Sequence, residues 1–253
     1  MTEGAQETYK KNFLSNVSTI INFADTIEVT PKTLNAIFDN LADEFKPPKK
    51  MQEYGLNVAG DAGGHLATNQ SVEYIYRISR DDDYYVEVAK NRLVFVTQKY
   101  SNYQAFELFY KPILNSFIDK YEIKTVNRVG LRYINNITLS DSNVFEWFDY
   151  LDPSLIQSIK FVNNKDTIRR AMHNLFIAHD EDTLLNFNYG LFNKSFPSKM
   201  LEKNFILDYE CFTPYGIASK EIIQTLNSYN DILTAIFEAS IRDKLREEMR
   251  KDD

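Results

Sequence analysis

From Ile222 to Met249 the apolar residues Ile222, Ile223, Leu226, Tyr229, Leu233, Ile236, Phe237, Ile241, Leu245 and Met249 recur at helical spacing. A stripe this long calls for cover, which points to layers with helix laid on a sheet face, and it offers more apolar face than a domain of this size always buries. The spacing predicts one long helix from Ser219 to Arg250, whose charged last turns project or fit against a partner.

The rest of the chain alternates between strand and helix signals. Phe13 to Phe23 reads as a strand, and Thr30-Pro31 supplies a helix cap followed by proline at the first helical position. Leu34, Ile37, Phe38, Leu41 and Phe45 then predict an amphipathic helix that stops at Pro47-Pro48. A strand from Lys50 to Ala59 precedes a flexible segment from Gly60 to Gln70. An antiparallel meander follows, with strands at Val72 to Ser79, Tyr84 to Ala89 and Arg92 to Lys99. A helix from Asn102 to Tyr121 containing Pro112 leads into a long strand, Thr125 to Leu139. The second half predicts a helix from Val144 to Phe161, interrupted near Asp152-Pro153. Strands at Thr167 to Ala178, Thr183 to Asn193 and Lys203 to Phe212 complete it.

This pattern predicts the α+β class, with antiparallel sheet and long helices packed on one face. No linker rich in Gly, Ser or Pro divides it, so residues 1–253 read as a single domain. Two pseudo-repeat halves, 12–140 and 141–253, sharing one core are the alternative. With 43% hydrophobic residues, including 18 Phe and 16 Tyr, there is enough apolar area for a large core, and 8 Gly with 7 Pro exclude a loop-dominated chain.

Charge and cysteine content narrow the partners. The net charge of -7 repels phosphate backbones and makes nucleic acid a disfavoured partner. The lone Cys211 lies in an apolar strand-like run, which fits a reduced, buried thiol in a reducing compartment. The opening MTEGAQETYKK lacks the apolar stretch of a signal peptide, and no window approaches about 18 uncharged apolar residues. The expected location is the cytoplasm, with no membrane partner.

The run Arg128-Val129-Gly130-Leu131-Arg132-Tyr133-Ile134-Asn135 resembles the R-x-G-L-R-Y-I-N signature of a sporadically distributed family of conserved bacterial proteins of unknown function. Leu207-Asp208-Tyr209 is similar to that family's aspartate strand, and Phe237 to Arg246 to its terminal helix. Glu210 stands where members often carry a second Asp. The resemblance implies a cytoplasmic bacterial protein of this length, scattered among genomes as accessory genes are, and brings no known reaction.

On a strand, Arg128, Gly130 and Arg132 share one face, so two guanidinium stems start roughly 13 Å apart across a glycine and flank a bare patch of sheet. Asp208 and Glu210 also share a face. If their strand neighbours the signature strand, the arginines meet the carboxylates. Arg128, Arg132, Asp208 and Glu210 then form a charge network that holds strand register, a polar floor that grips a peptide carboxylate, a phosphate or a nucleotide, or, as the lesser alternative, a set for acid/base chemistry.

Other signals are weaker. Gly60 to His65 lacks the G-K-[ST] ending of a phosphate loop and reads as a surface loop, with a lid over a pocket as the alternative. His65, His173 and His179 do not have metal spacing, and Asp180-Glu181-Asp182 reads as a hairpin turn. Neither a cofactor nor a metal site is predicted, and no catalytic constellation is found. Tyr74, Tyr76, Tyr84, Tyr85, Tyr103, Tyr110, Trp147 and Phe148 are expected to be mostly core, with a protein hot spot or a base-stacking platform as the functional alternatives. The sequence therefore points to a non-enzymatic cytoplasmic interaction protein, an accessory component acting with a partner protein in a bacterial defence or toxin/antitoxin setting. Partner binding or self-association would run through the C-terminal helix. The alternative is an enzyme or sensor that holds an anionic small molecule or nucleotide on the Arg128/Arg132 face.

Overall fold

Alternating apolar residues become strands in a large antiparallel sheet in the computed structural model, which describes residues 9–42, 44–60, 66–140 and 143–251. The strands are β1 (Leu14–Phe23), β2 (Lys49–Gly60), β3 (Leu66–Ser79), β4 (Tyr84–Ala89), β5 (Arg92–Thr97), β6 (Thr125–Leu139), β7 (Ala171–Ala178), β8 (Leu184–Leu191), β9 (Lys203–Phe212) and β10 (Ile217–Ala218). Their order is β2-β3-β4-β5-β1-β6-β9-β8-β7, with β10 beside β6. The helices are α1 (Pro31–Phe38), α2 (Tyr103–Tyr121), α3 (Gln157–Phe161), α4 (Ile222–Ser240) and α5 (Asp243–Arg250). This is the α+β class expected from the sequence.

The chain forms two compact units that interleave in sequence. One holds the described residues up to Val17, Leu131–Phe212 and the chain from Leu226 onward; the other holds Ser18–Gly130 and Thr213–Thr225. The division falls inside β1 and β6.

In the unit built on Ser18–Gly130, β2 to β5 form the expected meander. The strand β3 begins at Leu66, so residues 66–70 are strand where a flexible segment was expected, while residues 61–65 lie outside the described residues. The helix α2 starts on the Asn102 side-chain cap and buries Phe106, Phe109, Tyr110, Ile113, Leu114 and Phe117. Phe109 meets Tyr84 edge-on at 5.1 Å, a geometry that aromatic quadrupoles favour. The helix α1 has the predicted Thr30 cap and first-turn proline but ends at Phe38, seven residues short of Phe45. Asp39 and Asn40 end it: Asn40 Nδ2 donates to the Ala36 carbonyl, and such local side-chain bonds compete with the helical ladder. Phe45 still reaches the core by packing against Phe38 at 4.9 Å.

In the unit built on Leu131–Phe212, β7, β8 and β9 pair antiparallel in sequence order. One face carries Tyr133, Leu185, Phe187, Tyr189, Leu207 and Tyr209, all buried. Tyr133 donates to Asn230 Oδ1 at 2.8 Å and Tyr209 to Ser240 Oγ at 2.8 Å, which ties α4 to that face.

The single C-terminal helix predicted from Ser219 to Arg250 is two helices, broken at Ile241-Arg242. The break has a backbone cause. Asp152 N donates to Ser240 O and Arg242 N to Tyr150 O, both at 2.9 Å, around a bridge between Leu151 and Ile241. Strand-like pairing takes the groups that a continuous helix would use. The apolar stripe is spent inside the fold, with Leu226, Tyr229, Leu233, Ile241, Leu245 and Met249 buried, so its end does not project. The helix predicted at Val144 to Phe161 is also replaced. Residues 144–150 form turns, and helical structure begins only at Pro153. Trp147 and Tyr150 in those turns are core residues.

Candidate functional site

Opposite the helix-bearing face of the Leu131–Phe212 unit lie the alternate residues of the same strands. Asn174 on β7 is in register with Asn188 on β8, and Asn188 with Asp208 on β9. Next to β9 is β6, from which Arg132 reaches Asp208. Arg132 Nε donates to Asp208 Oδ1 and Nη2 to Oδ2, each at 2.7 Å. The result is one polar row across four neighbouring strands. Asn174 Nδ2 closes its far end by donating to Asn188 Oδ1 at 2.7 Å and Asn186 Oδ1 at 2.6 Å.

The pair is asymmetric. The Asp208 side chain is 11% exposed, while that of Arg132 is 40% exposed. Asp208 is gripped by both Nε and Nη2, while a good part of the Arg132 side chain stays open to solvent. The hydrogen bonds to Asp208 raise the Arg132 pKa against the opposing effect of burial, and Glu210 adds attraction through space. Arg132 is thus a fixed cation held in one orientation.

Three of the four expected site residues, Arg132, Asp208 and Glu210, share this face of one unit, and the expected meeting of arginine and carboxylate is present. Arg128 is half-buried and falls in the other compact unit. Gly130 is buried, and its carbonyl accepts from Thr19 Oγ1 at 2.8 Å. The strand is therefore not open at the glycine itself.

No protein-family model matches the chain, and no curated protein matches it.

The remaining candidates are dispersed. Gly60 ends β2, and 61–65 with His65 lie outside the described residues. Asp180-Glu181-Asp182 is the turn from β7 to β8, with Asp182 N donating to Asp180 Oδ1 at 2.9 Å. Among the described residues no group of three or more His, Cys, Asp or Glu is placed to hold a metal ion. Cys211 is buried, and burial pushes its thiol up to about 12, so it is not a thiolate at neutral pH.

Of the aromatic candidates, Tyr84, Tyr110 and Trp147 are core. Tyr74 and Phe148 are exposed but already carry cations: Lys50 sits 4.0 Å from the Tyr74 ring, and Lys160 4.4 Å from that of Phe148. Tyr74 and Tyr76 line a cavity of about 590 Å³ with Lys50 and Lys90.

Two features escaped sequence reasoning. Ser158 Oγ lies 2.8 Å from His173 Nε2, and the imidazole stacks on Tyr189 at 5.1 Å. Among the described residues no carboxylate meets the other ring nitrogen, so this pair lacks the group that orients the base in a nucleophilic triad. Only folding brings Ser158 and His173 together, and no local pattern announces it. The second is Lys203, 1% exposed, with its ammonium 4.5 Å from the Tyr150 ring and 5.4 Å from that of Trp147. Here a signal exists, since Lys203 shares the alternation of the core residues Phe205, Leu207 and Tyr209.

Proposed function

We propose that the chain is a non-enzymatic interaction protein of the bacterial cytoplasm, an accessory component that grips a partner protein through the sheet face centred on Arg132 and Asp208. The observation that carries this reading is the row Asn174, Asn188, Asp208 and Arg132, which presents amide donors and acceptors beside an oriented cation. Exposed Met172 and Phe176 flank it on β7, giving the mixture of apolar anchor, arginine and amide groups that protein recognition uses. The resemblance to a sporadically distributed bacterial family supports the setting, and the buried, reduced Cys211 is consistent with it.

The test is co-purification of the tagged chain from its own host, wild type beside Arg132→Ala, with circular dichroism to verify folding. A partner held by wild type and lost by the folded variant supports the proposal. Recovery of wild type with no partner, or a partner indifferent to Arg132, overturns it.

A second reading has one observation behind it. The Arg132 side chain remains 40% exposed beside its carboxylate, as a site for an anionic small molecule or nucleotide would require. A thermal-shift panel of nucleotides and phosphorylated metabolites separates the two. Saturation at about 100 times the dissociation constant adds about 2.7 kcal/mol of stability, and only the small-molecule reading expects that shift to vanish in Arg132→Ala.

A further inference from the structure

Among the described residues, the strand β7 ends the sheet order and pairs with β8 alone. Its sequence, Ala171-Met-His-Asn-Leu-Phe-Ile-Ala178, contains no Lys, Arg, Asp, Glu, Pro or Gly. Met172, Leu175, Phe176 and Ile177 are exposed within these eight residues, Phe176 by 62%. Protein sheets guard their edges with lysine, proline, bulges or a covering segment, because an open row of backbone donors and acceptors pairs with any extended chain. The strand at the other end of the order follows that rule, since β2 opens with Lys49-Lys50 and carries Glu53. By contrast, β7 has the composition of an inner strand.

Its flanks say which strand belongs beside it. Arg169-Arg170 precede β7 and Asp180-Glu181-Asp182 follow it, with Arg170 and all three acids exposed. Two copies of β7 laid antiparallel about a two-fold axis put the basic end of each against the acidic end of the other. Parallel pairing would set like charges together. With the axis at Leu175, Arg170 faces Asp180 and Arg169 faces Glu181 of the second copy, while Leu175 meets its own counterpart and Asn174 faces Phe176. This is an isologous contact, closed and self-complementary.

We infer that two copies of this chain join through antiparallel β7–β7 pairing, which continues the sheet from one molecule into the next. Sedimentation of the full chain should give twice 29.5 kDa. Arg170→Glu should weaken the dimer about tenfold or more by placing acid against acid, and Arg170→Glu with Asp180→Arg should restore it at unchanged net charge. In a Cys211→Ala background, Leu175→Cys should give a disulfide-linked dimer and Met172→Cys should not, because only the residue on the axis lies within disulfide reach of its own copy. A folded wild-type monomer at about 0.1 mM overturns the inference, whether or not it captures a foreign strand. So does a dimer indifferent to the charge reversal, or one cross-linked equally well from Met172.

Discussion

Arg132 and Asp208, 76 positions apart in sequence, are joined by two parallel hydrogen bonds of 2.7 Å between adjacent strands, with the acid nearly sealed and the guanidinium partly open. Removing the arginine leaves a carboxylate that water reaches poorly. A fully buried pair broken on one side costs about 3–5 kcal/mol, and solvent screening at the 40% exposed Arg132 reduces that. Urea unfolding of Arg132→Ala, Asp208→Asn and the double variant should return a coupling energy of about 1–2 kcal/mol, with the double variant less destabilised than the sum of the single ones. Additive effects would mean that the pair does not act as a unit.

Lys203 makes a second prediction, because its ammonium is held against the rings of Tyr150 and Trp147 inside the fold. Trp147 is the sole tryptophan, so its fluorescence reports this contact directly. Lys203→Met keeps the aliphatic stem and removes the charge, and should shift Trp147 emission while changing stability by less than about 2 kcal/mol. Lys203→Ala also empties space and should cost about 2–5 kcal/mol. Unaltered emission in both variants would refute the contact.

The strands were more legible than the helices, for a physical reason. In β6 the alternation of Val129, Leu131 and Tyr133 with Arg128, Gly130 and Arg132 is set by a period of two that tertiary context does not change, and its predicted bounds, Thr125 and Leu139, match the structure. Helical spacing at Leu41, Phe45 and Ile241 was real as apolar patterning, yet turns and bridges used those side chains equally well to cover the core. Long-range pairing of residues 150–152 with 240–242 broke the last helix, and no sequence window contains both partners. The candidate site behaved in the same way. Faces could be assigned from alternation, so Arg132, Asp208 and Glu210 fell together, but that β6 lies beside β9 had to be conjectured.

Gly190 holds β7 on the sheet. It adopts φ +144°, which side-chain-bearing residues rarely reach, and a Cβ there would lie 1.9 Å from the Ala171 carbonyl oxygen. The obstacle is backbone and cannot swing away. Gly190→Ala should therefore separate the start of β7 from β8, raise hydrogen exchange across Ala171–Ala178 first, and cost more than about 3 kcal/mol. Protection of β7 amides equal to wild type would show that the strand does not depend on this close approach.

Cys211 links the core to pH. Its thiol is pushed from 9.0 to about 12, chiefly by burial and further by Asp180 and Glu210. In the unfolded chain the thiol ionises near its ordinary value, whereas the folded protein keeps the proton. Between about pH 9 and 12 the unfolded state therefore binds fewer protons, and stability contributed at this position is complete below pH 9 and falls as pH rises through that window. Comparing variants at each pH cancels every ionisation that the two proteins share. The stability difference between wild type and Cys211→Ala should be flat up to about pH 9 and then move steadily against wild type. Native protein at about pH 8 should also resist iodoacetamide, while urea-unfolded protein reacts. A difference that stays constant to pH 11, or fast alkylation of the native chain, would mean that Cys211 is not sealed in the strand.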